Sequence, residues 1–404
     1  MELGNEKFDK TGDMKPFASV TAAGTKPITS FGVNHSRREC SGAKASQITE
    51  LIADWLTENM RPLSVIGDSG FKRLLQFLEP GFVVPSRTHL TSLIKARYGK
   101  AKAELRDVFK REAKTVAITS DAWTSKAVQS YQTYTGHFIN REWQLLTFVL
   151  STARFGGSHT GKRIAEQISG AVEESKAQDK VVCVVQDEAA NAVAAGRLLK
   201  EEQKWDSLTC SAHRLQTCIR HSIGASTQVQ RLLAACRRVV SHFNHSSKET
   251  ERLAEEQHRK PVLKVIQDCS TRWNSTFYMI ERLLKLKVPL IAVLDSDENR
   301  SLLLKDHQWA LASEVVCVLH PFERSTVVLS GQEYPTLSLV LPVISGLCKA
   351  LNEPPAAAAS NTIKSFRQHL SRELQQKFEA LPTSTSAVGC CSGPEILQPF
   401  ISER

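Results

Sequence analysis

The sequence predicts a mixed α/β core set between two all-helical regions. Three observations carry that prediction. Apolar residues recur at helical spacing from Ile48 to about Phe109. At Thr115 the pattern changes to short β-branched or alternating runs, ordered as three strands, a helix, a strand, a helix and a strand. Beyond Ser226 the helical period returns and holds to Leu351.

Residues 1–45 are rich in Gly, Thr, Ser and Lys without sustained periodicity and read as a flexible arm. Residues 46–112 read as a helical module. Ile48, Leu51, Ile52, Trp55 and Leu56 share one face of a first helix, and Pro62 ends it. Phe71, Leu74, Leu75 and Leu78 mark a short second helix stopped by Pro80-Gly81. Ser86 is the expected N-cap of a long, charged third helix.

The α/β core is expected over 113–225. Its first strand is Thr115–Thr119, ending at Ser120-Asp121. The second runs from Tyr131 to Ile139 and the third from Trp143 to Ser151, with Arg141 and Glu142 at the tight connection. Val181 to Val185 is apolar throughout, as suits a strand buried on both faces, and it ends at Gln186-Asp187. A weak fifth strand covers Leu208 to Ala212. Residues 226–352 are expected to be helical, opening with the stripe Val229, Leu232, Leu233, Cys236, Val239, Val240 and Phe243. Thr227 and Gln230 read as its capping box. Residues 353–404 read as a linker, Pro354 to Ser360, and a disordered tail.

Composition narrows the function. The 404 residues hold 52 Lys+Arg against 42 Asp+Glu, a net charge of +10 that favours polyanionic partners. A hydrophobic share of 41% excludes a wholly disordered chain. No stretch reaches the roughly 18 apolar residues of a membrane helix, and Met1 to Pro27 lacks the apolar core of a signal peptide. The ten cysteines are scattered without a C-x-x-C pair, a pattern of reduced thiols; Cys390-Cys391 read as an exposed pair.

Asp121 and Asp187 stand at the ends of the first and fourth strands, where an α/β sheet presents its ligands. Two such carboxylates can hold hard divalent cations and position a water for phosphoryl transfer. On spacing alone, each can equally cap the turn that follows it.

The residues around them carry more. Ser120-Asp-Ala-Trp-Thr-Ser125, Val185-Gln-Asp-Glu-Ala-Ala-Asn191, Cys210-Ser-Ala-His213 and Thr271-Arg-Trp-Asn-Ser275 occur in this order. So do Met60 to Ser64, Pro85 to Arg87, His320 to Glu323 and Tyr334 to Thr336. Together they resemble the hAT superfamily of DNA transposases, and within it the transposon-derived, zinc finger BED domain-containing branch. The resemblance covers about Ile48 to Leu351. It implies an RNase H-like core interrupted by a large all-helical insertion and preceded by a small helical module. It also implies that Asp121 and Asp187 are metal-binding catalytic residues, with Mg²⁺ or Mn²⁺ as cofactor if the chain is active.

The sequence departs from the family pattern in three places. The third acid, a glutamate after the insertion, has no placed equivalent; Glu314 and Glu323 lie within the insertion helices. Asp187-Glu188-Ala189 stands where the family shows Asp-Asn-Ala. Residues 1–47 hold only Cys40 and His35, so no BED finger is expected, and the C-terminal dimerisation segment is not seen. The chain reads as truncated or eroded at that end.

Cys210 and His213 have the spacing of half a zinc site without a second pair; zinc is not expected, and the resemblance implies a structural motif near the acidic crevice. His137 and His159 read as hydrogen-bonded structural residues. Trp123, two residues after Asp121, and Trp273 beside Arg272 are candidate nucleic-acid contacts: an indole stacks on a base while the arginine holds phosphate. Trp273 also fits a core position with Phe277, Ile280 and Leu284. The expected function is a transposase-derived nuclear protein, DNA-binding or transcription-regulatory and catalytically eroded. The alternatives are an active metal-dependent transposase and a protein-interaction scaffold. DNA is the expected partner, with self-association as a second option and no membrane; the nuclear location follows from the resemblance.

Overall fold

A computed structural model describes residues 40–258, 260–295, 298–355 and 359–379, in two units divided between Ala103 and Glu104. The flexible-arm expectation for 1–39 and the tail expectation for 380–404, with Cys390-Cys391, lie outside the described residues.

The first unit contains α1 (Gly42–Glu58), a 3-10 turn at Leu63–Gly67, α2 (Ser69–Leu78) and the N-terminal part of α3 (Arg87–Glu112). α1 begins six residues before Ile48 because the Ser41 side chain accepts from the Lys44 N–H at 3.4 Å. Ser86 caps α3 as expected, accepting from the His89 N–H at 3.1 Å. Ile52, Ala53, Leu56, Ile66, Phe82 and Leu90 form this unit's core, and Trp55 stacks on Phe71 at 5.5 Å.

In the second unit, β1 (Val116–Thr124), β2 (Ser130–Ile139) and β3 (Leu145–Arg154) form a meander. After α4 (Gly161–Glu174) come β4 (Val181–Gln186), α5 (Ala190–Gln203) and β5 (Asp206–Thr209). The sheet order is β3-β2-β1-β4-β5, with β4 parallel to both β1 and β5. Phe109 of α3, Val116, Ile118, Phe138, Ile168, Val172 and Val184 lie in one buried cluster. The Lys180 ammonium closes the C-terminal end of α3 by donating to the carbonyls of Phe109 (2.6 Å) and Ala113 (2.8 Å).

Several boundaries shift. β1 continues five residues past Thr119 because β2 pairs with it as far as Thr124↔Ser130, beyond the reach of β4. Asp121 therefore lies inside a strand and not at its end. Trp143 belongs to the turn, with φ of 61° and 87% exposure, since the Asn140 and Gln144 backbones close the hairpin there. Val182 is 47% exposed, so β4 is not buried on both faces along its whole length. β5 starts at Asp206, paired with Cys183, and gives way to the next helix at Cys210.

The helical part follows as α6 (Ser211–Ala225), α7 (Thr227–His245), α8 (Ser247–Glu255), α9 (Trp273–Lys285), α10 (Lys287–Leu294), α11 (Asp306–Leu329), α12 (Val340–Asn352) and α13 (Asn361–Phe378). One buried cluster joins Leu215 of α6 to Phe378 of α13. Ser226, not Thr227, caps α7, accepting from the Val229 N–H. Gln230 donates to the Gly224 carbonyl instead of forming the expected box. α13 corrects the reading of 353–404 as linker and tail. Its Ile363, Phe366, Leu370, Leu374 and Phe378 recur at helical spacing and are buried, worth on the order of 10 kcal/mol by area. Among the described residues no helix is long and apolar enough to cross a membrane.

Candidate nucleic-acid and metal site

The parallel register of β1 on β4 ends at Thr119↔Val185. Two residues further along each strand come Asp121 and Asp187. Asp121 is still within β1, paired with Thr133 of β2, and Asp187 is the first residue past the end of β4. Asp121 is exposed and has no hydrogen-bond or ionic partner among the described residues. Asp187 is half-buried, and its Oδ1 accepts the Ala189 N–H at 3.0 Å, which orders the turn into α5. Two oxygen donors of this kind suit a hard divalent cation completed by water. When bound, such an ion lowers the pKa of a coordinated water and stabilises phosphoryl charge. Among the described residues, no group of three or more His, Cys, Asp or Glu side chains gathers as a metal set.

Glu188 does not join the pair. Its carboxylate accepts from the Lys377 ammonium at 3.0 and 3.1 Å and lies 3.5 Å from the Arg214 guanidinium. The residue beside Asp187 thus ties α13 and α6 to the end of β4. Glu314 is equally committed, taking the Ser360 N–H at 2.8 Å and its hydroxyl at 2.6 Å to cap α13. Glu323 accepts from the Tyr278 hydroxyl.

Cys210 stands beside Gln186, at the end of β4. Its N–H donates to the Gln186 carbonyl at 2.7 Å, prolonging the β4–β5 ladder by one step into α6. His213, one turn on, accepts the Thr217 hydroxyl through its backbone carbonyl. The α6 residue Gln216 then donates to the Thr271 carbonyl at 3.0 Å, so the Cys-x-x-His and Thr-Arg-Trp-Asn segments meet. His137 is structural: its ring bridges the Thr119 and Thr147 hydroxyls at 3.0 Å each, and burial lowers its pKa.

The aromatic candidates separate. Trp123 is 43% exposed and stacks on Tyr131, its register partner on β2, at 5.7 Å. Tyr131 was not singled out from sequence, although pairing across the hairpin was the available signal. Trp273 is a correction: at 3% exposure it packs edge-on to Phe277 in the helical core and offers no face to a base. Arg272 remains exposed at the start of α9. Nearby Asp268 is held by a two-pronged Arg237 contact and by the Thr276 hydroxyl at 2.9 Å. Burial pushes its pKa up, but these bonds and the arginine charge outweigh it and lower it.

Comparison with known proteins agrees with this architecture. The ZBED1 RNase-like domain family matches residues 119–213, and the ZBED1 RNase-like helical domain family matches 208–318. The human zinc finger BED domain-containing protein 4 is 27% identical over 330 residues, 78% of this chain and 28% of that protein. Mouse zinc finger BED domain-containing protein 6 is 24% identical, over 77% of this chain and 33% of its own. The Hobo transposase of Drosophila melanogaster is 25% identical over 76% of this chain and 47% of its own. The chain thus spans less than half the length of each of these relatives. The sheet order, the helical region that follows it and these matches liken the chain to the ZBED branch of the hAT-derived proteins.

Proposed function

We propose that this chain is a DNA-binding, transposase-derived protein of the nucleus with a regulatory role, whose RNase-like fold holds nucleic acid without cutting it. The observation that carries the reading is the Trp123–Tyr131 stack on the β1–β2 hairpin, partly exposed and two residues from Asp121. An exposed indole braced by a second ring offers a stacking face to an unpaired base, worth about 1–3 kcal/mol per base. The net charge of +10 supplies the phosphate attraction. Loss of cutting is supported by Glu188, the carboxylate adjoining the pair, which Lys377 and Arg214 neutralise.

A second reading, an active metal-dependent nuclease core, is favoured by Asp121 having no side-chain partner among the described residues and by Asp121 and Asp187 each lying two residues past the last β1–β4 pair, Thr119↔Val185. There, Asp121 and Asp187 would hold Mg²⁺ or Mn²⁺, which would supply activation of a water for attack on phosphate. The experiment is nicking and binding of labelled duplex, hairpin and single-stranded DNA in Mn²⁺. Asp121→Asn, Asp187→Asn and Trp123→Ala proteins are run beside the parent. The proposal expects salt-sensitive binding by both Asn variants, about ten-fold weaker single-strand binding by Trp123→Ala, and no nicking by any. Nicking lost in both Asn variants establishes the nuclease. No DNA binding at all leaves an interaction scaffold.

A further inference from the structure

The three strands of the meander bury one face and leave the other open. Gln132, Tyr134 and Phe138 of β2 are buried, whereas Tyr131, Thr133, Thr135 and His137 between them are only partly covered. That alternation is the pattern of a sheet solvated on one side. Side-chain contacts show which residues share the open face. The Thr133 and Thr152 hydroxyls meet at 2.7 Å across β2 and β3, and the His137 ring joins Thr119 of β1 to Thr147 of β3. On β3 this face carries Thr147, Val149, Thr152 and Arg154, all exposed.

The register sets the functional groups in rows. Trp123 of β1 lies opposite Tyr131 of β2, and Tyr131 lies opposite Arg154 of β3. Directly opposed residues hold their Cβ atoms about 4.5–5.5 Å apart, so the Trp123–Tyr131 stack and Arg154 form one continuous row. Arg154 has no partner among the described residues. In the next row Asp121, Thr133 and Thr152 follow the same order. Asp121 is the only acid in the three strands.

These groups specify the occupant. Stacked rings take a base, a guanidinium takes phosphate, and threonine hydroxyls take sugar and phosphate oxygens. Three strands spaced about 4.8 Å apart make a strip roughly 10 Å across, which suits one strand. A paired base keeps its faces inside the duplex, where these rings cannot meet it. We propose that the open face of the β1–β2–β3 meander is a platform for a single nucleic-acid strand, with a base on the Trp123–Tyr131 stack and a neighbouring phosphate on Arg154. Asp121 repels phosphate from the β1 side and so turns the backbone towards β3. The proposal rests on the DNA-binding reading above and adds Arg154 and the threonine pair, which no sequence motif marks.

The test is fluorescence-anisotropy titration of the full chain, in EDTA, with labelled oligo-dT and with a duplex of equal length. Oligo-dT should bind more tightly than the duplex. Arg154→Gln should weaken oligo-dT about ten-fold at low salt and lower the log–log salt slope by about 0.7. Arg154→Lys keeps the charge and should keep the slope. Thr133→Val should weaken binding about three-fold. Arg238→Gln removes an exposed arginine from α7 and should change binding by less than about two-fold, since distant charges are screened. Equal losses in Arg154→Gln and Arg238→Gln, or tighter binding of the duplex, overturn the proposal. Unchanged oligo-dT binding by Arg154→Gln also overturns it; if Trp123→Ala still weakens that binding, the DNA-binding reading stands without the platform. No binding of either DNA by the parent overturns both.

Discussion

The carboxylates of the helical region and those on β1 and just past β4 are treated oppositely by their surroundings. Asp268 has a side chain only 3% exposed, gripped by Arg237 and Thr276. Glu314 is spent on capping α13. Asp121 has no partner among the described residues, and Asp187 gives one oxygen to a turn. A buried charge must be paired because desolvation penalises it; an exposed one need not be. The difference separates acids that hold the fold from acids left open to a cation or a ligand donor. Glu188 marks the border, lying beside an open acid in sequence yet committed to Lys377 and Arg214.

The comparison can be broken first at α13, which supplies the far side of the helical core. Phe366 is fully buried there, so Phe366→Ala should destabilise the protein by about 3–5 kcal/mol in chemical denaturation. A loss below about 1 kcal/mol would mean that α13 is not part of the folded core. Next, Asp268→Asn should cost about 1–2 kcal/mol near neutral pH, reduced from the fully buried case because the Arg237 side chain is 42% exposed. The sign of its pH dependence follows from the lowered pKa. The contribution is present above the ordinary value of 3.8 and is lost as pH falls through the lowered folded-state value. The gap between parent and variant should therefore close on acidification below about pH 4, and a gap that widens there contradicts the assignment. The smallest effect is expected at the open acid: Asp121→Asn should shift stability by no more than about 0.5 kcal/mol. A larger loss in the melting curve would show that Asp121 is structural after all.

Much of this was legible in the residues themselves. The change of period at Thr115 and Ser226 located the sheet, and Ser86 announced the start of α3. Misreadings arose where pairing overrode local pattern. β1 runs past Asp121 because β2 accompanies it, and Trp143 left its strand because the hairpin closes at Asn140. The spacing of Ile363 to Phe378 was present in the sequence, but Pro354-Pro355 and the alanines after them suggested a boundary too early. At the candidate site, Asp121 and Asp187 were proposed from strand ends, which holds for Asp187 but not for Asp121, inside β1, and the choice between Trp123 and Trp273 could not be made. Both tryptophans follow a polar motif, and only packing decides which is covered.

The sequence by itself determined the class of fold and the order of the strands and of the helices between them, because periodicity, caps and ordered motifs are local properties of the chain. Tertiary structure alone decided that Glu188 meets Lys377, 189 positions away, and that Trp273 is core while Trp123 is surface. Burial and charge pairing depend on which distant segments share a space, and that is settled only when the sheet and the helices close on one another.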